Sequence, residues 1–200
     1  MRRYSREQIG NLVEHLLRRA DVTKPPVPVE RIARMLDVEI RYVPFQGDIS
    51  GMVAREGGRA VIGVNTVHPT ARQRFTIAHE IGHLELGHPL EGSAKHGMHI
   101  DRHFKVMLRD GKSSQAIDPI EIEANNYAAA LLMPRTMLIQ EQELSAGFDI
   151  EDDRLIQRLA AKYKVSPQAM TFRLTNIAYL LMPSHLVRMP QRRRVVSRKK

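Results

Sequence analysis

Apolar residues recur at Ile9, Leu12, Val13, Leu16 and Leu17, the three-and-four spacing of a single helical face. Ser5 and Gln8 form a capping box in front of them, so the pattern predicts a helix from Ser5 to Arg19 with that stripe buried. Lys24 to Pro28 holds three prolines and reads as a stiff connector. A short helix should follow to about Leu36. The period then changes. Val38–Val43, Ser50–Arg55 and Ala60–Val64 are rich in β-branched residues and separated by glycine-containing turns, which predicts three strands in a small meander. Thr70 and Gln73 look like a second capping box, and Pro69 discourages helix at His68. Ile77, Ile81 and Leu84 then mark the core-facing stripe of a helix that Gly87 stops. The pattern is weakest from His88 to Ile117, where Asp101 to Asp110 includes an extended stretch. Asp118 as cap, Pro119 at N1 and Pro134 as terminator frame another helix. Beyond Pro134 the chain reads as helical. Asp152–Tyr163 and Pro167–Leu181 are joined at Lys164-Val165-Ser166, with Ser166 as N-cap.

These elements predict an α+β fold: a small, mostly antiparallel sheet packed on the helix after Thr70, followed by a helical C-terminal part. At 200 residues one domain is expected, over 1–187, with a helix-turn-helix-like unit at about 150–182. The net charge of +9 changes this picture only at the end. Six of the last ten residues are basic (Arg192, Arg193, Arg194, Arg198, Lys199, Lys200) and none is acidic. Residues 188–200 therefore read as a disordered basic tail, either simply solvated or in nonspecific contact with nucleic acid. The absence of cysteine excludes disulfides and thiolate metal sites. No apolar run approaches the roughly 20 residues that span a bilayer. Met1-Arg2-Arg3 leads straight into polar residues without a signal-peptide apolar region. The expected compartment is the cytoplasm, with no membrane partner.

The chemistry lies in His79-Glu80-Ile81-Gly82-His83. Residues four apart on a helix share a face. Two imidazoles so placed can grip one zinc ion, with the glutamate between them working on a zinc-bound water. Two solvated histidines on a surface helix would give the same five letters. Gly82 argues against that, because glycine costs a helix about 1 kcal/mol against alanine, which suggests a close approach to the backbone there. A catalytic zinc needs a third protein ligand. The third histidine of H-E-x-x-H-x-x-G-x-x-H is missing, since Leu86 and Pro89 stand at the required positions. His88 is one residue out of register and reads as a surface residue or as a support for the ligands. A glutamate from the helix after Asp118 is the other solution. Glu121 shares a face with Ala124, Asn125 and Ala128, although it could equally complete a capping box with Asp118. Glu123 is the rival: two residues on, it points about 200° round the helix, so only one of the two can face the metal, and the small-residue face favours Glu121. Asn125 is placed to accept a hydrogen bond from the outer N–H of a ligand histidine. His96, His99 and His103 are candidate oxyanion donors, each expected singly to be solvated. Tyr127 is another, but its spacing suits the core better.

Two longer stretches carry a resemblance. Arg72-Gln73-Arg74-Phe75-Thr76-Ile77-Ala78-His79-Glu80-Ile81-Gly82-His83 matches R-x-R-F-T-[IL]-A-H-E-[IL]-G-H. Glu121 through Pro134 matches E-x-E-A-N-x-[FY]-A-A-x-L-L-M-P. Both motifs are those of the ImmA/IrrE family of zinc metallo-endopeptidases, which the chain resembles more weakly from about Pro28 to Leu181. The resemblance implies a zincin-like fold and one catalytic zinc on His79, His83 and Glu121, with Glu80 as general base. It also implies a helix-turn-helix repressor as substrate, whose cleavage releases mobile-element or stress-response genes. The chain looks like the family's short form, without an extra N-terminal helix-turn-helix or C-terminal sensory domain. Two other readings stay open. One is a non-catalytic regulator that binds DNA or a repressor and keeps zinc for structure. The other is a zinc enzyme acting on a non-peptide bond. For the C-terminal helix pair, DNA binding competes with packing or substrate docking. Its second helix bears Arg173 but also Gln168, Thr171, Thr175 and Asn176, whereas DNA-reading helices bring several cations to phosphates.

Overall fold

A computed structural model describes residues 3–47, 49–90, 98–101, 118–145, 149–150 and 152–181. Ser5 caps α1 (Arg6–Arg19): its hydroxyl accepts from the Gln8 N–H while the Gln8 side chain accepts from the Ser5 N–H. Ile9, Val13, Leu16 and Leu17 are buried as the stripe predicts, whereas Leu12 is exposed at its edge. α2 (Val29–Met35) leads into β1 (Val38–Val43), β2 (Gly51–Glu56) and β3 (Arg59–Asn65). α3 (Thr70–Glu85), β4 (Met98–Asp101) and α4 (Pro119–Leu132) follow. The helical remainder is α5 (Arg135–Leu138), α6 (Gln142–Ser145), α7 (Asp153–Tyr163) and α8 (Pro167–Leu181).

The fold is α+β, and its four strands run in the order β1-β3-β2-β4. β2 is antiparallel to both β3 and β4, but β1 lies parallel to β3, with Val38 opposite Ala60. The expected meander is therefore wrong, because β1 and β2 are not neighbours. Burial explains the order. β3 is buried from Ala60 to Asn65 and takes a central place, whereas β1 is exposed along its second half and takes the edge. Asn65 pins the connection that makes the crossing. Its amide donates to the Ile49 and Phe45 carbonyls at 2.8 and 3.3 Å and accepts from the Phe45 N–H. The β2–β3 turn is the two-residue loop Gly57-Gly58, both at positive φ, as a primed hairpin turn requires.

α3 does not begin as the capping-box pattern implied. Pro69 is the half-in residue, with φ −57° and ψ 150°, and no side chain caps the helix. Gln73 instead turns back to the His68 and Thr66 carbonyls at 2.7 and 3.3 Å. The other end matches expectation: Gly87 has φ +67°. The His88 N–H bonds the His83 carbonyl and the Gly87 N–H the Leu84 carbonyl, which is a Schellman stop. α4 is framed by the Asp118 cap on the Ile120 N–H, by Pro119, and by Met133.

α3 is wedged between α4 and the sheet, and two glycines let it be. A Cβ on Gly82 would lie 3.0 Å from Tyr127 Cβ on α4. A Cβ on Gly51 of β2 would overlap Thr76 Cγ2 and sit 3.7 Å from a Glu80 carboxylate oxygen. Arg74 staples the same helix to distant chain, donating to the Val27 and Lys164 carbonyls at 2.8 and 3.3 Å.

Candidate metal centre

His79 and His83 project from α3, both buried, with Nε2 atoms 3.0 Å apart. Glu121 reaches them from the first turn of α4. Its Oε2 lies 3.2 Å from His79 Nε2, and its Oε1 lies 3.3 Å from His83 Nε2. His99, from β4, brings its Nε2 to 3.3 Å from Glu121 Oε1, with its ring centroid 4.2 Å from that of His83. One donor atom from each of the four lies within 4.8 Å of all the others.

This group fits a metal ion. Donors held about 2.0–2.1 Å from a tetrahedral zinc are separated by about 3.3 Å, close to the spacings just given. Glu121 Oε1 and His99 Nε2 are buried near each other without a well-directed hydrogen bond. Glu121 Oε1, a buried acceptor without a well-made partner, is what a cation at this point would satisfy.

The outer edges of the two helical imidazoles are also held. His79 Nδ1 lies 3.1 Å from Asn125 Oδ1. An amide oxygen only accepts, so the network assigns the proton to His79 Nδ1 and leaves Nε2 free to face the cluster. Asn125 thus occupies the position expected of it. His83 Nδ1 lies 3.1 Å from His88 Nδ1, and His88 Nε2 lies 3.3 Å from Glu123 Oε2. Burial pushes His83 down to about 4, so its imidazole is neutral and ligand-ready at pH 7. Burial opposes ionisation of Glu121, but its contacts with His79, His83 and His99 outweigh that and hold the carboxyl far below the usual range. His99 is raised, first by its bond to Glu121. Glu80 is fully buried between the two helical histidines in sequence, and its charge also acts on His99.

The sequence-predicted residues His79, His83 and Glu121 therefore meet, with Asn125 behind His79. Glu123 faces away from them, as the facing argument requires. Of the two readings of His88, the surface one fails: the residue is buried beneath His83 because the Schellman turn folds it back. One expectation needs correction. His99 is not solvated, because β4 carries it into the cluster, a contact between strand and helices that no local spacing encodes. His96 and His103 lie outside the described residues. Tyr127 is core, buried against Gly82, and burial drives its phenol far up. Sequence reasoning gave no role to Gly51. Its position next to a predicted strand start, well before the motif helix that begins at Thr70, held no signal of the close approach.

A small mixed sheet, a helix bearing two histidines and a glutamate from a second helix make a zincin-like site of the metallopeptidase class. The family described as the IrrE N-terminal-like domain matches residues 33–175, so the chain belongs to that peptidase family. A comparison with curated proteins finds no match.

Proposed function

We propose that the protein is a zinc-dependent endopeptidase whose substrate is a helix-turn-helix repressor, cut to release the genes it silences. The convergence of His79, His83, Glu121 and His99 beside the buried Glu80 carries the catalytic part of this reading. Family membership supports the class, and the two extended motifs support the substrate. His79, His83 and Glu121 hold the metal. A zinc ion there supplies polarisation of a carbonyl and acidification of water. The Glu80 carboxylate takes a proton from the attacking water and returns it to the leaving amine. His99 offers an N–H to the oxyanion that develops on the carbonyl.

An extended peptide has a place to lie. Among the described residues, β4 is hydrogen-bonded only on its β2 side. We assign strand addition beside His99 to the other edge, which no described strand covers. No described helix is long and apolar enough to cross a membrane, and a repressor substrate places the work in the cytoplasm.

The test is Glu80→Gln, which changes one carboxylate oxygen and little volume. The variant should bind zinc like the wild type yet fail to cut a repressor encoded by a neighbouring gene. Unchanged cleavage by the variant refutes the assignment.

A further inference from the structure

Two buried residues with no part in the reading above, His88 and Glu123, form a chain that ends on His83. Glu123 lies on α4 and is 5% exposed; His88 follows the end of α3 and is 6% exposed. A buried carboxylate must be satisfied by donors. Glu123 Oε1 accepts from the Tyr4 backbone N–H at 3.3 Å, and Oε2 faces His88 Nε2 at 3.3 Å. The geometry favours one direction. A carboxylate accepts, so a His88 that carries a single ring proton holds it on Nε2. Its Nδ1 is then a bare lone pair. That lone pair lies 3.1 Å from His83 Nδ1, which must therefore donate. His83 is left with its Nε2 lone pair, and that is the atom 3.3 Å from Glu121 Oε1.

We propose that His88 and Glu123 are positioning residues that fix the tautomer and ring orientation of His83 and so set the affinity of the metal centre. This rests on the reading that His79, His83 and Glu121 hold the ion. The arrangement extends the carboxylate–histidine support known around metal-bound imidazoles by one ring. Glu123 does not touch His83, and it acts through His88. The two ligand histidines are thus held by different means: His79 by an amide on the adjacent helix, and His83 by an imidazole that a buried carboxylate orients. The same α4 supplies Glu121 to the ion, Asn125 to His79 and Glu123 to His88.

The test uses the full-length protein with ¹⁵N-labelled histidine rings, which report where each ring proton sits. In the metal-free wild type at neutral pH, His83 should be protonated on Nδ1 and His88 on Nε2. A proton on His88 Nδ1 overturns the proposal. Zinc affinity is then measured by competition with a chromophoric chelator. His88→Leu should bind zinc about 10–100-fold more weakly. His88→Asn places an amide oxygen where Nδ1 stood and should regain most of that loss. Wild-type affinity in His88→Leu, or equal losses in both variants, overturns the proposal. Should His88→Leu fail to fold, the near-isosteric Glu123→Gln takes its place. It should lower zinc affinity and mix the His88 tautomers, and no change in either is the contrary result. His83→Ala separates the two levels of the argument. If it abolishes binding while His88→Leu does not, the relay alone fails. If it leaves binding intact, the metal reading fails and takes the relay with it.

Discussion

His99 is the residue whose role the geometry changes most. In the proposed role of oxyanion donor it would contribute to the rate and not to retention of the metal. His99→Ala should then lower kcat about 100- to 1000-fold with zinc affinity little altered. A large loss of zinc from this variant would instead make His99 a fourth ligand. His83 adds a pH dependence to the metal-free protein. Its folded pKa of about 4 lies below the ordinary 6.5, so the unfolded chain binds more protons between those values. The stability it contributes is complete above pH 6.5 and is lost as pH falls toward 4. His99 is shifted the other way and offsets part of this. Glu121 is held below its ordinary value of 4.5, so its contribution fades only in stronger acid. Denaturant unfolding of the metal-free protein should show a loss on the order of 2–3 kcal/mol from pH 6.5 to 4, less in His83→Ala. At this scale His79, Glu80 and His83 were legible because one turn of helix is a fixed ruler. His99 was illegible because its place depends on which strand meets β2.

Helices were the elements best read in advance. α1, α4, α7 and α8 begin and end within a residue or so of their caps and prolines, because those signals are local. The sheet order was not legible. A parallel β1–β3 pair is joined by chain that carries β2 between them, and nothing in Val38–Val43 names its partner. Helix pairing gives a prediction of its own. In Gly82→Ala, helix propensity favours the alanine by about 1 kcal/mol. The new methyl, however, meets Tyr127 at its Cβ, the stem of a fully buried side chain that cannot rotate away. α4 has to shift, at a cost of about 1–3 kcal/mol. Glu121, Asn125 and Glu123 shift with it, so zinc affinity should fall even where thermal melting shows a change of only a few degrees. Isothermal titration alongside melting separates the two effects.

Across the whole molecule, the proposed ligands come from α3 and α4, so an ion would tie the two helices together. Saturation at 1000 times Kd is worth about 4.1 kcal/mol. Chelation should therefore lower the melting temperature by several degrees, and zinc should restore it. The second helix of the C-terminal pair turns its cation inward. Arg173 is the sole charged residue of α8, and its guanidinium donates to the Met133 carbonyl at 2.9 Å, where burial brings it down to about 10. α8 thus offers phosphates no free cation. Fluorescence anisotropy should find no operator-specific binding by a variant truncated after residue 187.

Gly87 sits outside both sequence motifs, yet its left-handed turn decides where the next imidazole lands. Replacing it with a residue that resists positive φ would swing His88 away from the ring above it. Chemistry at the ion is thereby exposed to a change in how a helix comes to a stop, a full turn beyond the nearest ligand.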